Sequence, residues 1–365
     1  MLDRLTIRDY RNLASLDLTL PPEGAVVLGA NGQGKTNLLE AIYYLVLFRS
    51  FRGARDAELV RFGRDGFFIG GDVERATKGV QRAASSVQRV TAGYESAGRR
   101  KKVTIDGEKP ARLADAVGKV TAVLFAPTDR MLVAGPPSER RRWMDVVLSL
   151  TARAYLAQLS KYRQALRQRN AALRHGTWEA AWAFDGVLAT AGAFLLHARL
   201  DWVAAHADRY TELLAALGET SSAAMRYRAH GHVTPDGLAQ ALSANRDHDR
   251  ERRATGVGPH RDDLVVMLGG HHLRTYGSAG QQRTSAIALR LLETEALTAA
   301  RGVPPIGLFD DAFVELDGDR QSRLLGLVRH ALPGQAIIAA PRESEVPAAM
   351  FDRPRWTMQG GRVHA

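Results

Sequence analysis

Apolar and polar positions follow three different rhythms along the chain. Up to about residue 125 the apolar runs are short. Leu5 and Ile7, then Leu16, Leu18 and Leu20, alternate with polar neighbours at period two, as in the strands of a hairpin. Ala25–Leu28 is a continuous apolar run entering a glycine-rich turn, the pattern of a buried strand, and Asn37–Phe48 follows as an apolar helix. Phe67–Val73, Lys102–Asp106 and Val120–Phe125 read as further strands, with an Asp-Gly turn at Asp106-Gly107. From about 136 to 256 the spacing becomes helical. Pro137-Ser138-Glu139 suits a helix start, and helices are expected over 138–150, 151–174, 177–217 (interrupted) and 235–246. Beyond 257, strands return at Leu264–Leu268, Ile306–Phe309 and Gln335–Ala340, with a long helix Gln281–Arg301 between the first two. The tail, 351–365, fits no element by pattern.

These rhythms predict an α/β protein: one α/β domain formed by both chain ends, 1–135 plus 257–365, with a mainly α-helical domain inserted at 136–256. The 365 residues suit about two domains. No apolar run approaches the roughly 18 residues of a membrane span, and the charged opening MLDRLTIRDYRNL is unlike a signal peptide, so a cytoplasmic protein with no membrane partner is expected. The absence of cysteine excludes disulfides, thiolate metal ligands and a cysteine nucleophile. Lysine and arginine total 50 against 39 acids, a net charge of +11. A polyanionic partner gives one account of that excess and codon bias another; charge alone does not choose.

Chemistry narrows the choice. Gly29-Ala30-Asn31-Gly32-Gln33-Gly34-Lys35-Thr36 matches G-x-x-x-x-G-K-[ST], after an expected strand and opening the helix that continues through Asn37. Glycines let main-chain amides wrap phosphate, Lys35 is expected at the β- and γ-phosphates, and Thr36 at Mg²⁺. Ile306–Phe309 runs into Asp310 and Asp311, a strand end with paired acids. Asp310 fits a metal-holding Walker B role and Asp311 a water-activating one. Ser278, Gly280 and Gln281 precede the long helix, where a hydroxyl and amides can meet an anion.

Signature, helix, then a strand ending in two acids is the layout of ATP-binding-cassette ATPases. Within that class the chain resembles the RecF family. LTIRDYRNL, GANGQGKTNLLEAIYYL, PSERRRWMD, KYRQALRQRNAAL, GVGPHRDDL, YGSAGQQRTSAIALRL and LFDDAFVELD carry the resemblance, from residue 1 to about 340. It implies slow hydrolysis of the β–γ bond of ATP with Mg²⁺, and an ATP-dependent homodimer on DNA. It further implies action at gaps or single-strand/double-strand junctions in recombinational repair and replication, with recombination mediator proteins that load the recombinase. It places Arg11 and Asn12 near the adenine, Ser278 at the γ-phosphate of the partner's site, and Asp317 in the D-loop. An SMC-like chromosome-structuring or nuclease-associated ATPase is the alternative. No histidine follows Gln335–Ala340 and no glutamine stands between Arg61 and Phe68, so the usual cassette sensor and Q-loop are absent from those places. Candidate DNA contacts are Arg140, Arg141 and Arg142 at the first expected helix, and Arg163 and Arg167 on the second.

Overall fold

The computed structural model describes residues 1–74, 87–230, 232–313, 318–350 and 352–364. Asp317, expected in the D-loop, lies outside the described residues. The chain forms two compact units. One joins Met1–Thr128 to Glu293–Ala365, and the other is the contiguous stretch Asp129–Leu292.

Two sheets build the first unit; strands are numbered in chain order. β1 (Leu2–Tyr10) and β2 (Leu13–Thr19) form the expected hairpin, with Leu5 opposite Leu18 and Ile7 opposite Leu16. β4 (Gly66–Glu74), β5 (Val87–Glu95) and β6 (Arg100–Ile105) continue this antiparallel sheet in the order β2-β1-β4-β5-β6. The second sheet runs β14-β13-β3-β12-β11-β7. Here β3 (Gly24–Leu28), β7 (Ala122–Phe125), β11 (Ile306–Asp310), β12 (Ala336–Ala340) and β13 (Arg355–Gln359) are parallel, and β14 (Arg362–His364) turns back antiparallel at one edge. Continuous apolar runs such as AVLF and AIIAA are buried throughout, as both faces of a parallel sheet require. The helix Lys35–Leu47 is likewise apolar on most of its circumference because it is buried there. Gln335 ties the two sheets together: its side chain accepts from Leu2 N (2.9 Å) and donates to Leu2 O (2.8 Å) and Pro21 O (3.0 Å).

The second unit contains helices Pro137–Thr151, Arg153–His175, Trp178–Trp182, Asp185–Ala216, Pro235–Ala244 and Arg246–Arg252, together with a sheet β10-β9-β8, in which β10 is His271–His272. Its limits differ from the 136–256 expected by texture. β9 (Asp263–Leu268) pairs antiparallel with β8 (Ala223–Arg228), so the segment after 257 stays with the helices until Leu292. The stretch Trp178–Ala216 is also long and apolar enough to cross a membrane by length and composition, contrary to the expectation that no run is. Half of its most apolar window is buried inside the protein, as in the core helix of a folded domain.

Candidate nucleotide-binding site

The loop Gly29–Gly34 carries the chain from β3 into the helix Lys35–Leu47. Gly32 and Gly34 adopt φ of +82° and +117°, and a Cβ on Gly34 would stand 2.8 Å from Asn12 Oδ1. Gly34 is the N-cap and no side chain caps the helix, which leaves first-turn amides to an anion. Lys35 is 5% exposed; its Nζ donates to the carbonyls of Gly29 (2.6 Å) and Ala30 (3.3 Å). Thr36 Oγ1 donates to Asp310 Oδ1 at 2.8 Å, so helix start and strand end meet as the two motifs predict. Burial pushes the Asp310 carboxyl above its ordinary pKa; the Thr36 hydrogen bond opposes this and the Asp311 charge adds to it. Asp311 has φ +48°, its amide donates to Ala339 O (3.1 Å), and its Oδ1 is buried without a hydrogen-bond partner among the described residues.

The β1–β2 turn closes one side. Asn12 Nδ2 donates to Gln33 O (3.1 Å) and its Oδ1 accepts from Asn37 Nδ2 (2.8 Å). Arg11 forks onto Glu40 at 3.0 and 3.2 Å. Glu40 is fully buried on the loop helix and also accepts from Ser50, while Arg52 donates to Asn37 Oδ1 (3.2 Å). Arg11, Asn12, Lys35, Thr36, Arg52 and Asp311 line one cavity of about 860 Å³ with Arg61 and Phe62, within the size range of small-ligand sites. Sequence reasoning missed Glu40, Ser50, Arg52 and the exposed Phe62. A lone carboxylate inside an apolar helix was the available signal for Glu40, since burial demands a partner.

A sequence profile of the RecF/RecN/SMC N terminal domain matches residues 1–356. The DNA replication and repair protein RecF of Anaeromyxobacter sp. (strain K) is 42% identical over 373 residues, spanning 98% of this chain and 97% of its own. This chain belongs to the RecF family of DNA replication and repair proteins. The RecF of Myxococcus xanthus (strain DK1622) is 35% identical over 374 residues, covering 98% and 96%. A solved structure of the recombination mediator protein RecF with ATP, from the RecFOR pathway, is similar at TM-score 0.89 and 27% identity, covering 100% of this chain and 96% of that one. An Smc head bound to the C-winged helix domain of ScpA shares the fold at TM-score 0.56 and 13% identity. The ABC-type head with an inserted helical unit is thus the RecF architecture.

Two RecF motifs of the second unit, PSERRRWMD and GVGPHRDDL, face each other. Arg140 was expected at DNA. The structure corrects this: it is 2% exposed, and its guanidinium is held by Asp263 (2.8 and 3.1 Å) and by the carbonyls of Val133 and Gly135 (3.1 and 3.0 Å). Arg141 is half-buried and donates to Asp262 O at 2.6 Å, and Arg142 is half-buried beside it. Arg163 pairs with Asp145 at 2.7 Å with 40% of its side chain exposed, and Arg167 is exposed. Burial lowers the His260 pKa to about 4, so the ring is neutral; Nε2 donates to Thr255 O (3.0 Å), which leaves Nδ1 to accept from Tyr162 Oη (2.6 Å). The signature residues form a reciprocal capping box: Ser278 Oγ accepts from Gln281 N (3.2 Å) and Gln281 Oε1 from Ser278 N (2.9 Å), while Gly280 O accepts from Thr284 (3.0 Å). Ser278 is exposed, and because its oxygen accepts in this box its own O–H is left to donate.

Proposed function

We propose that this RecF-family chain binds and slowly hydrolyses ATP, and that ATP closes two copies around DNA at gaps or single-strand/double-strand junctions. The Thr36–Asp310 bond carries the reading, because it brings a phosphate loop and an acidic strand end into one cavity. Amides of the glycine loop and the Lys35 ammonium stabilise charge on the phosphates, once Lys35 exchanges its loop carbonyls for phosphate oxygens. Thr36, Asp310 and the unpartnered Asp311 Oδ1 are the hard oxygen donors that suit Mg²⁺, which when bound neutralises phosphate charge. Asp311 orients the attacking water. Ser278 of a second copy completes the site with its free O–H.

DNA lies, in this reading, along the helix Arg153–His175, which contains no acidic residue. Its exposed cations Arg153, Lys161, Arg167 and Arg174 fall within an arc of about 140°, while Arg169 lies on the opposite side and is buried. Arg153 to Arg174 spans roughly 32 Å, about nine base pairs. Partner proteins of a recombination mediator fit the same role. Calorimetry with ATP and Mg²⁺, then light scattering with ATP on gapped DNA, tests the proposal. A wild-type chain that binds no ATP, or that stays monomeric with it, overturns it.

A further inference from the structure

The hairpin β13–β14 touches the phosphate loop itself. β13 lies parallel beside β3, with Thr357 opposite Leu28 as the last pair. The chain then passes so close at Gly29 that a Cβ there would stand 2.4 Å from the Met358 carbonyl oxygen. Gly360 and Gly361 form the two-residue turn between Gln359 and Arg362, with φ of +55° and +77°. Positive φ at both central positions is the type I′ geometry that suits a twisted hairpin, and glycine adopts it without steric cost. Both turn amides are spent on one residue of the loop. Gly360 N donates to Gln33 Oε1 (2.6 Å) and Gly361 N to Gln33 O (2.9 Å). Asn12 Nδ2 donates to the same Gln33 carbonyl at 3.1 Å. That oxygen therefore has two donors, its full complement.

A trans peptide unit is planar, with its C=O and N–H directed oppositely. Fixing the Gln33 carbonyl toward the hairpin turn fixes the next amide, Gly34 N–H, away from it. That amide has no hydrogen-bond partner among the described residues. It belongs to a loop residue lining the candidate nucleotide cavity, where main-chain amides are the phosphate ligands of such loops. We infer that the Gly360-Gly361 turn is a positioning element for ATP, holding the Gln33 peptide so that the Gly34 amide is aimed at phosphate before nucleotide arrives. The inference rests on the ATP-binding reading above. Gly361 is the critical residue: a Cβ on it would lie 2.3 Å from the Asn12 carbonyl oxygen, whereas a Cβ on Gly360 would meet nothing within 4 Å.

That contrast supplies the test. Gly361→Ala and Gly360→Ala place the same methyl group at adjacent left-handed positions, but only the first separates the turn from Asn12 and Gln33. A third variant ends the chain after Gln359, removing both donor amides and leaving a terminal carboxylate in their place; its affinity is read at high salt, which screens that charge. Affinity for ATP with Mg²⁺ is measured by calorimetry at a temperature below unfolding, alongside thermal melting of each nucleotide-free protein. Gly361→Ala and the shortened chain should lose about tenfold or more in affinity, the scale of one well-placed hydrogen bond to a charged group. Gly360→Ala should stay near wild type in affinity, and nucleotide-free melting shows that each protein is folded at the temperature of the measurement. If Gly361→Ala does not fold, the shortened chain decides. Wild-type affinity in the shortened chain, or in a folded Gly361→Ala protein, overturns the inference. An equal loss in Gly360→Ala also overturns it, since strain alone would then suffice. A wild-type protein that binds no ATP removes the underlying reading instead.

Discussion

Lys35 and Arg169 are both buried cations, 5% and 0% exposed, in two differently finished surroundings. Arg169 sits in the second unit and donates to Asp185 (2.8 Å), Asp249 (2.7 Å) and Thr255 (2.9 Å), with the Trp182 ring 5.0 Å away. Arg199 is likewise held by Asp145 (2.8 Å), Tyr155 (2.9 Å), Tyr227 (2.8 Å) and Pro259 O (2.8 Å). Among the described residues, Lys35 has only carbonyls of its own loop as hydrogen-bond partners, and nearby Asp311 keeps one oxygen unpaired. In the helical unit, motif charges are matched by fixed counter-charges on other segments. At the phosphate loop, partners are few or exchangeable. Arg169 Nη2 is also buried without a hydrogen-bond partner among the described residues, so what separates the two places is fixed counter-charge from other segments, not spare hydrogen-bonding capacity.

Removing one member of each set is the sharpest way to break that comparison. Arg169→Met should cost about 3–5 kcal/mol in urea unfolding, because it leaves the fully buried Asp249 without its cation. ATP affinity of the folded fraction should not move; a large loss there would erase the distinction. Lys35→Met should lower ATP affinity by about 2–3 kcal/mol, roughly 30–150-fold, with nucleotide-free melting nearly unchanged. A drop in melting temperature to match would make Lys35 a structural ion after all.

Acid gives a smaller effect of defined sign. With a folded pKa of about 4 against an ordinary 6.5, His260 binds its proton less readily in the folded state. Stability from this group is therefore complete above pH 6.5 and declines as pH falls toward 4, by about 1–3 kcal/mol. His260→Gln should flatten that part of the pH–stability curve; an unaltered curve would assign the acid sensitivity elsewhere. The smallest expected change concerns salt. Arg167→Ala should reduce the slope of log DNA affinity against log salt by about 0.9, one phosphate contact. Arg140→Ala should leave the slope alone while lowering stability, since its partner is Asp263.

Much of the first unit was legible because its signals are local. Period-two alternation located β1 and β2, and apolar continuity located β3, β11 and β12. The phosphate loop and Asp310 carry fixed spacings, and the bond between Thr36 and Asp310 follows from them. What escaped depends on partners distant in sequence. Arg140 and Arg167 look alike in the chain; only the fold sets Asp263 beside the first and leaves the second in water. The tail was readable in part: Trp356 and Met358 alternate before Gly360-Gly361, a hairpin signal too short to stand alone. Its contact with Gln33 joins positions 327 apart and has no local signature.

The place of β3 in its sheet has a consequence for synthesis. Both its neighbours, β12 and β13, come from residues 336–359, some three hundred positions after β3 leaves the ribosome. The helical unit is one uninterrupted segment and has all its strands, and every helix but the last, Ala279–Arg301, complete before Leu292. During translation at about 5–20 residues per second, the phosphate loop therefore waits, unsupported on both sides, for at least about fifteen seconds. A nascent chain stalled or cleaved in that interval carries every residue of the Walker A motif and neither of the strands that flank β3.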